Sequence, residues 1–544
     1  MNDENREATE VLDAVVVGAG FAGLYMLIRL RELGMRCFVI EKGDDVGGTW
    51  YWNRYPGARC DIDSVDYCYS FSPRLLEEWR WTERFATQPE ILRYLEFVAD
   101  TFDLRRDIRF STTVTSAKFD EATDTWVVCA SDGREIRARY VVMAVGNLSE
   151  PKHPDIPGVE RFAGDAFHTA RWPEEGVDFA GRRVGVIGTG STGIQAIPLI
   201  AQQAEHLYVF QRTPNYSMPA RNAPLAPQYV EEVLATFEKR RALSRWSDAG
   251  TPFPPSEKGT FDVSDEERET MFEEGWQRGG INSLSYAFTD FFTDERANAE
   301  AQKFARRKIC EIVRDPQTAA SLTPAHHIGT KRTCVDTNYY ATFNRDNVTL
   351  VDLGLDPIEE IFTGGVRTAS RAIDLDCLVY AVGFDAMTGA MSAIDIVGAG
   401  GRTLREAWAE GPATYLGLMV EGFPNMFLVT GPGSPGVLSN MVVSIEQHVE
   451  WISDCLAFLE AQGLSRIEAT RATQDQWVAH VNDLADATLY PQASSWYLGA
   501  NIPGKPRVFM PYVNGCGNYR SECEAVVRDG YRGFALVSPA STRP

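Results

Sequence analysis

No two cysteines in this chain form a Cys-x-x-Cys pair, although it holds ten of them; close pairs are Cys60 with Cys68 and Cys516 with Cys523. Zinc-site and redox-dithiol spacings are therefore missing, no metal site is expected, and disulfide-reductase chemistry is disfavoured. The thiols read as reduced, buried side chains. Basic charge is also short: 53 lysines and arginines against 75 aspartates and glutamates leave a formal net charge of −22. That balance cannot neutralise a phosphate backbone or an anionic bilayer, so neither nucleic acid nor membrane is the expected partner. No apolar run approaches the roughly 18 residues that a membrane-spanning helix needs. The stretch Met1 to Glu7 is polar and acidic, unlike a signal peptide. A cytoplasmic protein is the expectation.

What is present is glycine in two ordered places. The 544 residues, 44% hydrophobic and 24% charged, suit a globular protein of several domains. Leu12 to Val17 is an apolar run of the buried parallel-strand type. Gly18-Ala-Gly-Phe-Ala-Gly23 follows, then helical spacing from Leu24 to Leu33, a strand from Arg36 to Ile40, and Glu41. This is a dinucleotide fingerprint in its required context. Gly18 permits the turn, Gly20 lets a pyrophosphate approach the backbone, and Gly23 allows close packing. Glu41 is placed to accept hydrogen bonds from ribose hydroxyls. From Gly47 to Asp61 the chain lacks helical or strand periodicity, yet carries Thr49, Trp50, Tyr51, Trp52 and Tyr55. Such aromatic density suits a loop walling a flat ring. Asp61 stands among apolar neighbours and needs a cation.

Strands are expected at Phe110 to Val114, Trp126 to Ala130 and Ile136 to Ala144, and a proline-bearing hinge at Asn147 to Pro157. A second fingerprint follows: strand Arg183 to Ile187, Gly188-Thr-Gly-Ser-Thr-Gly193, a helix to Gln203, and strand His206 to Gln211. Gly188, Gly190 and Gly193 repeat the roles of the first set. Where the first site carries an acid, the second carries Arg212 and Thr213. An acid repels a ribose 2′-phosphate and an arginine binds it, so the first site reads as FAD and the second as NADPH. Hydride would pass from nicotinamide to flavin. With no dithiol or metal motif, dioxygen is the natural acceptor.

From Pro224 to Ala325 the texture is helical and charge-rich, with helices expected at Gln228 to Ser247, Ser264 to Glu274 and Arg296 to Arg314. Lys331 and Arg332 follow this insert; on residue type alone they read as surface cations. Leu375 to Gly383 matches Tyr140 to Gly146 in type, an apolar run closing in Ala-Val-Gly. Phe423 to Pro435 reads as another strand ending in glycines, before a helix from Met441 to Glu460. The fold class is α/β: two Rossmann-like dinucleotide-binding domains, for FAD and NADP, with a helical insertion in the NADP domain. The division expected is 1–147 and 385–544 for the FAD domain, 148–220 and 328–384 for the NADP domain, and 221–327 for the insertion.

Between the fingerprints lies Phe162-Ala-Gly-Asp-Ala-Phe-His-Thr-Ala-Arg-Trp-Pro173. Its Phe162, Gly164, His168, Trp172 and Pro173 resemble the fingerprint of the type I Baeyer–Villiger monooxygenases, closest to the phenylacetone and steroid monooxygenase branch. The likeness extends to both glycine loops, Gly47–Asp61, Gly329-Thr-Lys-Arg332 and the Trp496 region. It implies a catalytic role for Arg332 with Asp61 as its carboxylate partner, which replaces the surface reading of Arg332. It implies that Lys331, Arg212 and Thr213 contact the 2′-phosphate, and that Trp496 contacts bound NADP. It further implies insertion of oxygen from a flavin C4a peroxide beside a ketone carbonyl, giving an ester or lactone. Pocket residues by the same resemblance are Ile62, Asn147, Leu148, Gly436, Val437, Leu438, Met441 and Met510, whose mostly apolar character suggests a bulky, uncharged ketone. His168 reads as structural. The rival readings are a flavin monooxygenase that oxidises nitrogen or sulfur, and a non-catalytic NADP-sensing flavoprotein.

Overall fold

The computed structural model describes residues 11–539. Leu12–Val17 lies inside an eight-stranded sheet, between Glu135–Met143 and Cys37–Ile40 and parallel to both. Ala14, Val15 and Val16 are 0% exposed. A strand covered on both faces needs an apolar residue at every position, which is why this one reads as an unbroken run. Beyond Glu135–Met143 the sheet continues through Thr125–Ala130 and Val114–Asp120 to Asp395–Val397; beyond Cys37–Ile40 it ends on Ile108–Arg109. Met426–Leu428 also pairs with Glu135–Met143. The return of the chain at 395 and 426 builds late residues into the first sheet.

The second sheet is five-stranded and parallel throughout, in the order Val348–Asp352, His206–Gln211, Arg183–Ile187, Cys377–Tyr380, Asp165–His168. The motif between the glycine loops thus supplies an edge strand. Trp172 is buried against Phe167 and Phe179, with ring centroids 5.6 and 6.2 Å away. Gly164 has no room for a side chain: a Cβ there would lie 2.6 Å from the Asp376 carbonyl oxygen and 2.7 Å from the Phe162 ring. Phe162 packs on the cluster holding Ile187, Phe210 and Leu378.

Several elements differ from expectation. The strand expected at Phe110 to Val114 begins only at the last residue of that stretch and runs over Val114–Asp120. It alternates buried and open positions, so its polar Thr115, Ser116 and Lys118 hide it from a search for apolar runs. The helix expected over Gln228 to Ser247 is two, Pro227–Ala235 and Phe237–Trp246. Thr236 separates them, its hydroxyl donating to the Glu232 carbonyl at 2.8 Å in competition with the helix ladder. Thr49–Trp52, expected as loop, is a single helical turn whose Thr49 carbonyl accepts from the Asn53 side chain at 2.8 Å. Helices Asp265–Arg278, Glu295–Ile312 and Pro316–Leu322 complete the insert, around Phe272, Trp276, Phe288 and Phe304.

Candidate active site

The two glycine turns open onto one cleft of about 1050 Å³. At the first end, Gly18 takes φ +103°. Gly23 packs on the turn itself, since a Cβ there would lie 1.7 Å from the Gly18 carbonyl oxygen, with the strand side chain of Val16 at 3.7 Å. Gly193 meets the Gly188 carbonyl in the same way, at 2.2 Å. Gly23 and Gly193 therefore shape the turns from behind, while Gly18, Gly20, Gly188 and Gly190 line the cleft. A Cβ on Gly190 would meet nothing within 4 Å. Helices Phe21–Glu32 and Ser191–Gln203 begin at Gly20 and Gly190 without a side-chain cap or an acid in the first turn. Their leading N–H groups face open cleft, as a bound pyrophosphate requires.

Glu41 is 5% exposed and both its oxygens accept backbone N–H groups, Oε2 from Ala19 at 2.6 Å and Oε1 from Gly43 at 2.7 Å. Burial raises its pKa against those bonds. The carboxylate ties the glycine turn to the following strand, and each oxygen keeps a lone pair for a ribose hydroxyl. Thr49, Trp50, Trp52 and Tyr55 line the cleft beside it. Tyr51 does not: its hydroxyl donates to Asp44 at 2.6 Å, and the Arg54 guanidinium covers its ring. At the other end Arg212 and Thr213 are exposed at the cleft edge, next to a half-buried Lys331. Burial lowers the Lys331 pKa, and Arg212 lowers it further by repulsion. Two cations left repelling each other, with no carboxylate between them among the described residues, match the charge of a 2′-phosphate.

Arg332 and Asp61 meet midway. Arg332 Nε donates to Asp61 Oδ2 and Nη2 to Oδ1, each at 2.9 Å, while Nη1 donates to the Val437 carbonyl at 2.5 Å. Both side chains line the cleft and are mostly covered, 23% and 18% exposed. Burial opposes the charge on Arg332, but Asp61 outweighs it and the pKa is raised, so the guanidinium stays charged. Tyr497 stands beside Arg332, its phenol pushed up to about 12 by burial although the guanidinium pulls it down. Cys334, two residues beyond Arg332, accepts from Asn215 Nδ2 at 3.1 Å and lines the same wall. Neither residue stands out in the sequence, beyond their nearness to Trp496 and Arg332.

Ile62, Asn147, Leu148, Val437, Met441 and Trp496 also line the cleft. Gly436, Leu438 and Met510 do not. Gly436 and Leu438 flank Val437 in a short 3-10 turn, and Leu438 and Met510 pack behind it with Tyr497 and Phe509, forming the support of the wall rather than its surface. His168 is likewise away from the cleft lining. The Ala170 N–H donates to its Nδ1 at 3.1 Å, so Nε2 carries the proton and donates to the Lys152 carbonyl at 3.0 Å. It fastens the edge strand to the linker between the sheets. Pro173 follows the buried Trp172 and also lies outside the cleft.

Two nucleotide cradles sharing one cleft define a flavin- and pyridine-nucleotide-dependent oxidoreductase. A family profile described as pyridine nucleotide-disulphide oxidoreductase matches residues 15–246. A Baeyer–Villiger monooxygenase of Pseudooceanicola batsensis is 44% identical, over 95% of this chain and 95% of its own. A phenazine N-monooxygenase of Lysobacter antibioticus is 42% identical, over 97% and 98%. A solved structure, oxidised steroid monooxygenase bound to NADP, is 53% identical with a TM-score of 0.93, covering 97% of this chain and 100% of that one. The chain belongs to the Baeyer–Villiger monooxygenases, which use FAD, NADPH and dioxygen to turn a ketone into an ester or lactone.

Proposed function

We propose that FAD lies against Gly18–Gly23 and NADP against Gly188–Gly193, and that Arg332, held by Asp61, stabilises the charge that develops on the ketone oxygen. The observation that carries this reading is the bidentate Arg332–Asp61 pair on the wall between the two cradles. FAD, when bound and reduced by NADPH, supplies the activation of dioxygen. The side chains then do the rest. Asp61 fixes the plane of the guanidinium, and the Val437 carbonyl fixes its far end. Arg332 spends three donors on these contacts and has five, so donors remain for the substrate oxygen. Because it is charged and already oriented, little reorganisation accompanies the reaction. Tyr497, buried behind the wall, backs the guanidinium without reaching the cleft. Arg212, Lys331 and Thr213 select the 2′-phosphate, and Trp496 covers the nucleotide.

On this basis the FAD domain is assigned to 1–147 and 385–544, the NADP domain to 148–220 and 328–384, and the insertion to 221–327. The apolar lining of Ile62, Leu148, Val437 and Met441 supports a bulky, uncharged ketone as substrate. Ten cysteines free of disulfides support work in a reducing compartment, the cytoplasm. One specific observation favours a second activity, N-oxygenation: the similarity to the phenazine N-monooxygenase. A panel of ketones, thioethers and tertiary amines, each incubated with NADPH or NADH, separates the two. Esters formed from bulky ketones with NADPH are the expected outcome; N-oxides or sulfoxides without any ester contradict it.

A further inference from the structure

Two residues near the FAD end of the cleft carry left-handed backbone without being glycine: Thr430, φ +57°, and Leu416, φ +59°. The conformation is unfavourable for any side chain and most so for a β-branched one. Both residues are buried, and Val429 and Thr430 line the cleft. Thr430 follows the strand Met426–Leu428, and the Val429 N–H donates to the Met143 carbonyl at 3.1 Å. Met143 in turn pairs with Val17, the residue before the first glycine turn. The loops holding Thr430 and Leu416 touch backbone to backbone, since a Cβ on Gly431 would lie 2.5 Å from the Gly417 carbonyl oxygen.

One histidine joins both. His448 lies on helix Met441–Ala461 and is 0% exposed. Its Nδ1 accepts the Thr430 N–H at 2.8 Å. A ring nitrogen that accepts carries no proton, so the proton of the neutral ring sits on Nε2. Nε2 is 2.9 Å from the Tyr519 hydroxyl, which donates to the Leu416 carbonyl. The bonds therefore run one way, from Thr430 through His448 and Tyr519 to Leu416, with no donor left over. Burial keeps the ring neutral, bringing its pKa down to about 3, and Arg520 acts in the same direction. Neither His448 nor Tyr519 lines the cleft.

We propose that His448 is a positioning residue of the flavin site: with Tyr519 it locks Thr430 in left-handed backbone and so fixes the Val429–Thr430 edge as a wall against bound FAD. The proposal rests on the reading that the first glycine turn holds FAD. Its test is the FAD dissociation constant and the visible absorption band of the flavin in the full-length protein, with the melting temperature measured alongside. His448→Asn keeps an acceptor where Nδ1 lies, and His448→Leu does not. His448→Leu is expected to weaken FAD binding about tenfold, the worth of one buried hydrogen bond, and to shift the band, while His448→Asn stays within about threefold of the wild type. Adding Thr430→Gly, which needs no lock, recovers most of the loss. Wild-type affinity and an unchanged band in folded His448→Leu overturn the proposal, as does an equal loss in the Asn and Leu variants. Should His448→Leu fail to fold, Tyr519→Phe decides: it breaks the link to Leu416, and unaltered FAD affinity and spectrum overturn the relay. A wild-type protein that binds no FAD overturns the cofactor reading instead.

Discussion

Asp61 and Arg332 stand 271 residues apart in the chain and meet in two parallel hydrogen bonds. On residue type Arg332 is an ordinary surface cation and Asp61 an acid in need of an unnamed cation; only the family resemblance paired them before the fold did. Burial changes what each is worth, because a covered ion pair with its donors aimed is a fixed field rather than a mobile charge. Arg212 works by the opposite logic. It is exposed, and among the described residues no carboxylate bridges it, so its charge is available to a ligand. Arg212→Ala should raise the KM for NADPH about tenfold or more, the range of a charge-assisted hydrogen bond, with little change in kcat or in the KM for NADH. Steady-state kinetics with both nucleotides check this, and an equal loss for both would remove Arg212 from the 2′-phosphate site. Lys331 adds a pH dependence. Burial first and Arg212 second lower its pKa, so its charge is lost at a lower pH than for an ordinary lysine. The KM for NADPH should therefore climb as pH rises through that lowered value, and Arg212→Ala should move the climb to higher pH.

Among the elements, strands were legible where both faces are covered. Leu12–Val17, Arg183–Ile187 and His206–Gln211 fall where their apolar runs place them, because a parallel strand between helices has no polar side. Val114–Asp120 has one open face and was misplaced. Asp165–His168 was not among the expected strands because its four residues carry no strand pattern; pairing with Cys377–Tyr380 defines it, and that partner lies far along the chain. The short strand Met426–Leu428 was drawn too long, since left-handed Asn425 and Thr430 bound it closely. Residues behind the pocket were taken for its lining for a related reason: Leu438 and Met510 belong to the same cluster as Val437, Gly436 precedes it in the same turn, and only packing decides which of them faces the cleft. Gly164 tests the edge strand. Gly164→Ala forces a methyl onto the Asp376 carbonyl and the Phe162 ring, and overpacking of that kind costs about 1–3 kcal/mol. A lowered melting temperature with the spectrum of bound flavin retained is expected; a variant as stable as the wild type would show that the contact yields freely.

At the scale of the whole molecule, the two sheets bring their glycine turns to one cleft, and the linker that crosses between them is fastened by His168 to the second sheet. One buried and one half-buried histidine make the assembly acid-sensitive. His448 and His326 have pKa values lowered from 6.5 to about 3 and about 4, both chiefly by burial. The unfolded chain takes up these protons first as pH falls below 6.5, so each histidine's contribution to stability is present above that value and is lost as pH falls toward the folded pKa. The loss approaches about 1.4 kcal/mol per pH unit for each group. Melting temperatures should fall from pH 7 to pH 5, and His448→Asn should flatten that fall; a wild type equally stable at both would contradict the neutral, buried assignment.

The proposed chemistry rests on a charged guanidinium on the wall of the cleft that the two glycine turns share, and one measurement reaches it directly. Wild-type protein and Arg332→Ala are each given NADPH, a bulky ketone and ¹⁸O-labelled dioxygen, and both NADPH consumption and labelled ester are followed. The wild type should form ester carrying one labelled oxygen, and Arg332→Ala should still oxidise NADPH while ester formation falls by about 100-fold or more. Labelled ester from Arg332→Ala at the wild-type rate would contradict the account.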